Sequence, residues 1–472
     1  MTQSSHSASA NQFTQTRIPV YPRSVKGRFR NIKTAIVILA YGVYFLLPWM
    51  PWSRTHGPNQ AVLFDIVGRK FYIFDLVVYA QDIFWLAGLL IIGAFLLFFV
   101  TGIAGRVFCG YFCFQTLWTD VFVFIERLVQ GERNQRIKLA NSPWTVNKGA
   151  RYALTWLLWI GVGFLTGLSF TLYWGDASQL VVAFFTAQAP FPAYATVLFL
   201  TISTFVMAGM AREQVCTYMC PYARFQSAMF DKDTLIIAYD EERGERACGR
   251  CKPSKENAAR EYRQSEELGD CIDCGYCVQV CPVGIDIRNG LQYQCISCAL
   301  CVDACDTIMD ALKYPRGLIK YTSENALEHK QSSRFKLKNI GYAVALLIVS
   351  GLLIFSITGR ELIEMHVEQI RQPLYVVLSD GRVQNRFSIK VINKSDVRQQ
   401  FKISMQGITD AQLEVRPSDE ISVESGKSVS VQAGIVVASV PDVKQIDFKF
   451  ILEPAKDTGE PLIERSSFFF PD

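Results

Sequence analysis

The chain has 472 residues, half of them apolar and 13% aromatic, with only 19% charged and a mean hydropathy of +0.17. That length allows two or three domains. The low charged fraction places the excess apolarity in local runs, which speaks against a wholly soluble enzyme and against a disordered chain. The net charge of +5, from 48 basic and 43 acidic residues, is too small to argue for nucleic acid as a partner.

Residues 1–33 are polar, lack the apolar stretch of a signal peptide and read as a tail. A membrane-crossing helix needs about 20 mostly apolar residues. The runs 34–52, 83–105, 152–174 and 339–359 meet that requirement or nearly so. A further run, 177–211, is uncharged but carries Pro190 and Pro192, which suit a loop or a first helical turn. Its span is therefore placed near 191–211. Five transmembrane helices result, four of them in a membrane domain over 34–211, with a segment 212–338 before the fifth at 339–359.

Lys and Arg set the orientation, because short cytoplasmic loops retain them. The tail carries Arg17, Arg23, Lys26, Arg28, Arg30 and Lys33, and loop 106–151 carries seven such residues, whereas loop 53–82 has three and loop 176–190 none. This predicts a cytoplasmic N-terminus and a periplasmic C-terminal region, 360–472. No Asp, Glu, Lys or Arg lies mid-span and none of the four histidines falls inside a span, which argues against a proton path and against bis-histidine haem ligation.

On this topology all fourteen cysteines fall on the cytoplasmic side or at its membrane edge, the opposite of a disulfide framework. Two runs match: Cys271-x2-Cys274-x2-Cys277-x3-Cys281-Pro282 and Cys295-x2-Cys298-x2-Cys301-x3-Cys305. In bacterial two-cluster ferredoxins the last cysteine of each run ligates the other cluster. The spacing thus predicts one [4Fe–4S] cluster on Cys271, Cys274, Cys277 and Cys305, and another on Cys295, Cys298, Cys301 and Cys281, in a ferredoxin domain over about 262–315. Asp306 stands where the first run has its proline, which blurs that turn but removes no ligand. Zinc on CxxC pairs is the rival.

At the membrane edge, Cys109-x3-Cys113 follows the second span and Cys216-x3-Cys220-Pro221 the fourth. Cysteines at i and i+4 share a helical face, so two pairs can offer four soft thiolates to Cu(I), zinc or a cluster. The basic flanks Arg106, Arg212 and Arg224 are expected to lower the thiol pKa. Cys248 and Cys251 suit zinc, a dithiol or no role. No Walker sequence or dinucleotide fingerprint is present, so electrons are expected from a quinol or another protein.

Beyond the last span the period changes to alternation. Strands are predicted at 373–379, 386–392, 400–405, 412–415, 421–424, 428–436 and 446–452, with another at 463–470, which reads as an immunoglobulin-like sandwich. Met365-His366 reads as surface rather than as a copper ligand pair.

The stretches CGYFCFQTLWTDVFVFIER (109–127), REQVCTYMCPYARFQSAMFDKDTLI (212–236), GDCIDCGYCVQVCPVGIDIRNGLQYQCISCALCVDACD (269–306) and YPRGLIKYTSENAL (314–327) strongly resemble the cytochrome c oxidase accessory protein CcoG, the FixG/RdxA family. The segment 60–76 and the C-terminal strands fit it too. The resemblance implies a multi-pass protein of the cytoplasmic membrane of Gram-negative bacteria, with two [4Fe–4S] clusters and a periplasmic immunoglobulin-like domain. It implies a role in assembly of haem-copper oxidases of the cbb type, with reduction of Cu(II) to Cu(I) for insertion and oxidase-assembly or copper-delivery proteins as partners. On that view Cys109, Cys113, Cys216 and Cys220 form the copper or redox site. One departure is Phe114, where the family has proline, so the helix is expected to run on through Cys113. The expected fold is thus a five-helix membrane bundle with a cytoplasmic ferredoxin insert and a periplasmic sandwich. A quinol-linked ferredoxin-type electron conduit and a non-enzymatic oxidase assembly scaffold are the rival functions.

Overall fold

The structure is a computed structural model and describes residues 20–54, 57–79, 82–247, 249–252, 260–331, 333, 336–395, 397–438, 443–455 and 461–471. It divides into two units, 1–52 with 59–353, and 53–58 with 354–472.

The helices of the first unit begin with α1 (Arg28–Leu46), α2 (Ile83–Ala104), α3 (Val107–Tyr111), α4 (Phe114–Gln130), α5 (Arg133–Asn141) and α6 (Val146–Leu172). Then come α7 (Ala177–Phe185) and α8 (Phe191–Thr204), which continues as a π-helix over Phe205–Ala211. Pro190 caps α8 and Pro192 sits in its first turn, where the missing N–H costs nothing. Helices α6 and α8 pack backbone to backbone because Gly163 and Gly167 present no side chain: a Cβ there would lie 3.0 Å from the Thr201 carbonyl and 2.8 Å from that of Val197.

Six helical segments among the described residues are long and apolar enough to cross a membrane: Arg28–Trp49, Ile83–Ala104, Val107–Gln130, Val146–Leu172, Phe191–Ala211 and Leu337–Thr358. Five coincide with the expected runs. The sixth lies in the expected basic loop 106–151, and its Asp120 and Glu126 hid it from a search for uncharged stretches. Both acids are paired, Asp120 with Arg30 at 2.8 Å and Glu126 with Arg136 at 2.8 Å and with Arg212. Along α4, Trp118 donates to Thr166, Phe122 stacks on Trp159 and Gln130 donates to Thr155, so α4 runs antiparallel to α6.

Loop 53–82 is more than a loop. Strands β1 (Val62–Asp65), β2 (Lys70–Ile73) and β3 (Leu76–Tyr79) form an antiparallel meander whose four-residue strands are too short to show a period.

The cysteine-bearing insert follows α9 (Pro221–Ala228). Its ends are clasped by β4 (Ile236–Tyr239) and β5 (Ile319–Thr322), antiparallel with Tyr239 opposite Ile319. Between them lie α10 (Glu241–Glu245), α11 (Arg260–Ser265), α12 (Tyr276–Gln279) and α13 (Leu300–Leu312), and beyond them α14 (Glu324–Leu327) and α15 (Leu337–Thr358). The insert is seated on α1 by a cap supplied in trans. Asp303 of α13 accepts from the backbone N–H of Phe29 at 3.2 Å and of Arg30 at 2.7 Å, satisfying donors that a helix start leaves open. A Cβ on Gly27 would sit 2.3 Å from the Asp303 Cγ, so only glycine admits this approach.

The second unit is a two-sheet sandwich. One sheet contains β6 (Ile363–Gln369), β7 (Val376–Val377), β8 (Val383–Asn393), β10 (Ala411–Arg416) and β12 (Ser428–Val437), in the order β10-β12-β8-β6 with β7 on β8. The other contains β9 (Gln399–Gln406), β11 (Glu420–Val423), β13 (Gln445–Pro454) and β14 (Leu462–Phe469), in the order β11-β9-β13-β14. Alternate residues point inward as strand geometry requires, so Phe387, Ile389 and Val391 of β8 meet Phe401, Phe448, Phe450 and Phe468 in one core. Buried Asn393 ties a corner, donating to the carbonyls of Val397 at 2.7 Å and Val423 at 3.0 Å. Strand β6 was not among the expected strands. It puts Met365 into the core and leaves His366 exposed, so the two residues face opposite ways and do not form a ligand pair.

Candidate iron–sulfur and membrane-edge thiol site

The two cysteine runs fold alike. In the first, Asp273 and Gly275 flank Cys274 with φ of +51° and +65°; in the second, Ser297 and Ala299 flank Cys298 with φ of +53° and +58°. Three of these four are not glycine, and a left-handed non-glycine residue costs about 1–3 kcal/mol, strain that clusters at ligand sites. In both runs the second left-handed residue is the N-cap of a helix, α12 or α13, that carries the third cysteine. The runs diverge after that. Pro282 ends the first helix early and leaves Cys281 in a turn, whereas Asp306 lets α13 continue through Cys305 to Leu312.

The fold brings the eight thiols around two neighbouring cavities. Cys271, Cys274, Cys277 and Cys305 line one, and Cys281, Cys295, Cys298 and Cys301 line another that Cys277 also touches. The remaining lining is mostly apolar, with Ile237, Ile287 and Leu300 at one and Met309, Leu318 and Ile319 at the other. Among the described residues no three His, Cys, Asp or Glu side chains stand close enough to hold a single metal ion. Four thiolates on one zinc would lie only ~4 Å apart, given Zn–S bonds of about 2.3 Å. Thiols spread around a cavity suit a polynuclear cluster better than one zinc ion, so the donor set and the space fit iron–sulfur ligation. Arg288 places positive charge at the first cavity, paired to Asp273 at 2.6 Å and Asp286 at 2.7 Å. Fully buried Arg263 braces the Cys271 carbonyl at 3.2 Å and the Gly269 carbonyl at 2.6 Å.

Burial in this apolar lining pushes Cys277 and Cys295 up to about 11 and Cys281 up to about 12, and raises Cys301 and Cys305 further. These are protonated thiols in the metal-free chain, and loading the site must release their protons.

The membrane-edge cysteines do not share continuous helical faces. Cys113 and Cys220 are extended (ψ 127° and 108°) and act as N-caps of α4 and α9, while Cys109 lies in α3 and Cys216 in a π-turn over Val215–Met219. Phe114 at the first position of α4 matches Pro221 at the first position of α9, so the helix does not run on through Cys113 as the missing proline had led us to expect. The four thiols are electrostatic neighbours: Cys216 senses Cys113, Cys109 and Cys220, and Cys109 senses Cys113 and Cys220. The basic flanks do not lower Cys216, because burial outweighs Arg106 and pushes the thiol up to about 12. Arg212 is occupied by Glu126.

Four residues beyond the cysteine quartet organise it. Fully buried Gln226 bonds Cys109 Sγ at 3.0 Å, and its amide donates to Thr101 and Tyr222. Buried Arg106 donates to the Tyr293 carbonyl and stands between Cys109, Cys216 and Cys295. At Gly110 a Cβ would lie 2.7 Å from the Ile296 carbonyl oxygen and 2.9 Å from the Cys298 Cα. Tyr111 donates to the Cys298 carbonyl at 3.1 Å. Cys109 accordingly packs in one apolar cluster with Ile296, Cys298 and Cys301, which line the second cavity. Of these, the sequence marked Arg106 as a basic flank and placed Gly110 and Tyr111 within the CGYFC stretch. Cys248 lies outside the described residues; Cys251 is half-buried, its carbonyl held by Arg263 at 3.1 Å.

Two family profiles match this chain. A 4Fe-4S dicluster domain covers residues 211–324, and an IG-like fold described at the C-terminus of FixG covers residues 353–471. Protein RdxB of Cereibacter sphaeroides is 40% identical over 434 residues, covering 89% of this chain and 89% of RdxB. Protein RdxA of the same organism is 40% identical, covering 88% of this chain and 87% of RdxA. Nitrogen fixation protein FixG of Rhizobium meliloti is 36% identical, covering 85% of this chain and 82% of FixG. With near full-length identity to three such proteins and both of these domains in order, the chain belongs to the FixG/RdxA family, whose iron–sulfur and immunoglobulin-like regions it carries.

Proposed function

We propose that the chain is a membrane-bound cupric reductase that supports cytochrome c oxidase assembly. Two [4Fe–4S] clusters, on Cys271, Cys274, Cys277 and Cys305 and on Cys295, Cys298, Cys301 and Cys281, supply single electrons at low potential when bound. Cu(II) is the substrate at Cys109, Cys113, Cys216 and Cys220. It gains one electron to become Cu(I), which soft thiolates favour, and the electron comes from a quinol or a donor protein. The observation that carries this reading is the packing of Cys109 and Gly110 against Ile296 and Cys298, which brings one thiol of the quartet against residues that line the second cavity.

Sidedness follows from treating Val107–Gln130 as re-entrant. The segment leaves the insert at Arg106, which donates to Tyr293, and returns to it at Glu132, which accepts from Ser24 beside the Arg23–Gln279 backbone bond. Five crossings remain, which supports a cytoplasmic N-terminus and insert and a periplasmic sandwich in the bacterial inner membrane.

Replacing Cys109, Cys113, Cys216 and Cys220 by Ala tests the reading. Copper reduction by the reduced, detergent-solubilised protein is expected to vanish while iron and sulfide content persist. Copper reduction that survives in this variant sinks the quartet as the site. Quinol oxidation independent of copper favours the electron conduit, and oxidase assembly that survives loss of every cluster ligand favours the scaffold.

A further inference from the structure

A third cavity of the first unit opens where the segment before α1, the start of α1 and the middle of α4 meet the insert. Its wall carries four cations, Arg23, Arg30, Lys33 and Arg127, against one carboxylate, Asp120. Asp120 is already shared, with Arg30 Nη1 at 2.8 Å and Lys33 Nζ at 3.6 Å. The Lys33 side chain is only 2% exposed, so its ammonium is not an ordinary solvated charge. The Arg127 Nε is buried without a hydrogen-bond partner. The nearby acids are shared rather than dedicated to Arg127: Glu126 pairs with Arg136 and Arg212, Glu132 accepts from the Ser24 amide, and both, with Asp120, also attract Arg127. With four cations against one lining carboxylate, the wall carries an excess of positive charge that a bound anion would offset.

We propose that this cavity binds a phosphate group, the headgroup phosphate of an anionic phospholipid. Guanidinium forks match phosphate oxygens bidentately, and a buried ammonium adds a point charge. Inorganic phosphate offers the same chemistry, but the location favours a lipid: the cavity sits beside the start of one helical segment apolar enough for a bilayer, Arg28–Trp49, and the middle of a second, Val107–Gln130. Exposed Arg23 forms its lip, with its guanidinium 4.6 Å from the Tyr276 ring centre. Val280 and Pro282, which flank Cys281, form part of the opposite wall. A bound headgroup therefore braces the Cys281 turn against α4. This site is independent of copper reduction.

The test uses full-length protein in phosphatidylcholine nanodiscs, with phosphatidylglycerol and inorganic phosphate as separate probes and native mass spectrometry as readout. Phosphatidylglycerol is expected to bind at one per chain and to survive detergent exchange. Arg127→Gln should weaken it at least about tenfold, the worth of one charge-assisted hydrogen bond. Arg23→Gln, at the exposed lip, keeps the test valid should Arg127→Gln fail to fold, and is expected to weaken binding severalfold. Inorganic phosphate that binds with the same dependence on Arg127 while phosphatidylglycerol does not would support the phosphate site and overturn its lipid source. Wild-type protein that binds neither probe, or variants that bind both as wild type does, would overturn the proposal.

Discussion

In the sandwich, Phe387, Phe448 and Phe450 fill the space between the sheets with ring centres 5.0–5.5 Å apart, and the chain supplies everything its core needs. In the insert, the corresponding central space is left as two thiol-lined cavities, and the backbone around them is held in left-handed turns at Asp273, Ser297 and Ala299. A packed interior reports that a region folds by its own side chains. Voids ringed by strained, sulfur-bearing turns report that a region is completed by something the chain does not encode.

The largest effect that separates the two regions is loss of the bound group. Cys298→Ala should remove one cluster's worth of iron and acid-labile sulfide and destabilise the insert, while the melting of the sandwich stays unchanged; calorimetry with iron analysis reads both. Equal loss of stability in both regions would break the contrast. Phe450→Ala reverses the test. It should cost the sandwich about 3–5 kcal/mol, as large-to-small changes in packed cores do, with iron content intact.

The smallest effect is in pH. Unfolded thiols ionise near ~8.5, whereas burial holds Cys277 and Cys295 near 11 and Cys281 near 12 in the folded, iron-free chain. Folding therefore retains protons that the unfolded chain loses. The stability these thiols contribute is full below about pH 8.5 and is lost as pH rises toward the folded values. Iron-free protein should accordingly melt progressively lower above about pH 8.5, with the cysteine-free sandwich showing no such trend. Reloading with iron and sulfide runs the other way, because it releases protons and strengthens as pH rises.

Much of this was legible in the chain. The matched backbone of the two cysteine runs was legible as a repeat of spacing, because local repeats fix local turns. Alternation found most of the sandwich, since each of its long strands buries one face. It passed over β6, whose Glu364, His366 and Glu368 dominate a short stretch. The helix Val107–Gln130 escaped because its charges are paired with Arg30, Arg136 and Arg212, from three other stretches of chain, and such pairing is invisible in a linear hydropathy reading. For the same reason the partners of Gln226 and Arg106 were hidden: they meet Cys109 and Tyr293 across 117 and 187 residues. Basic neighbours in sequence misled the reading of thiol acidity, because exposure rather than proximity decides which term wins.

The cap that Asp303 places on α1 has a consequence for biogenesis. The acceptor is encoded 273 and 274 residues after the amides it satisfies. At roughly 5–20 residues per second, a ribosome needs about 14–55 s to deliver it. Throughout that interval the first helix waits at the bilayer with its leading amides answered only by water. Its final seating therefore waits for the cysteine-bearing segment to be made and folded, which ties the start of the first helix to a late-built part of its own unit.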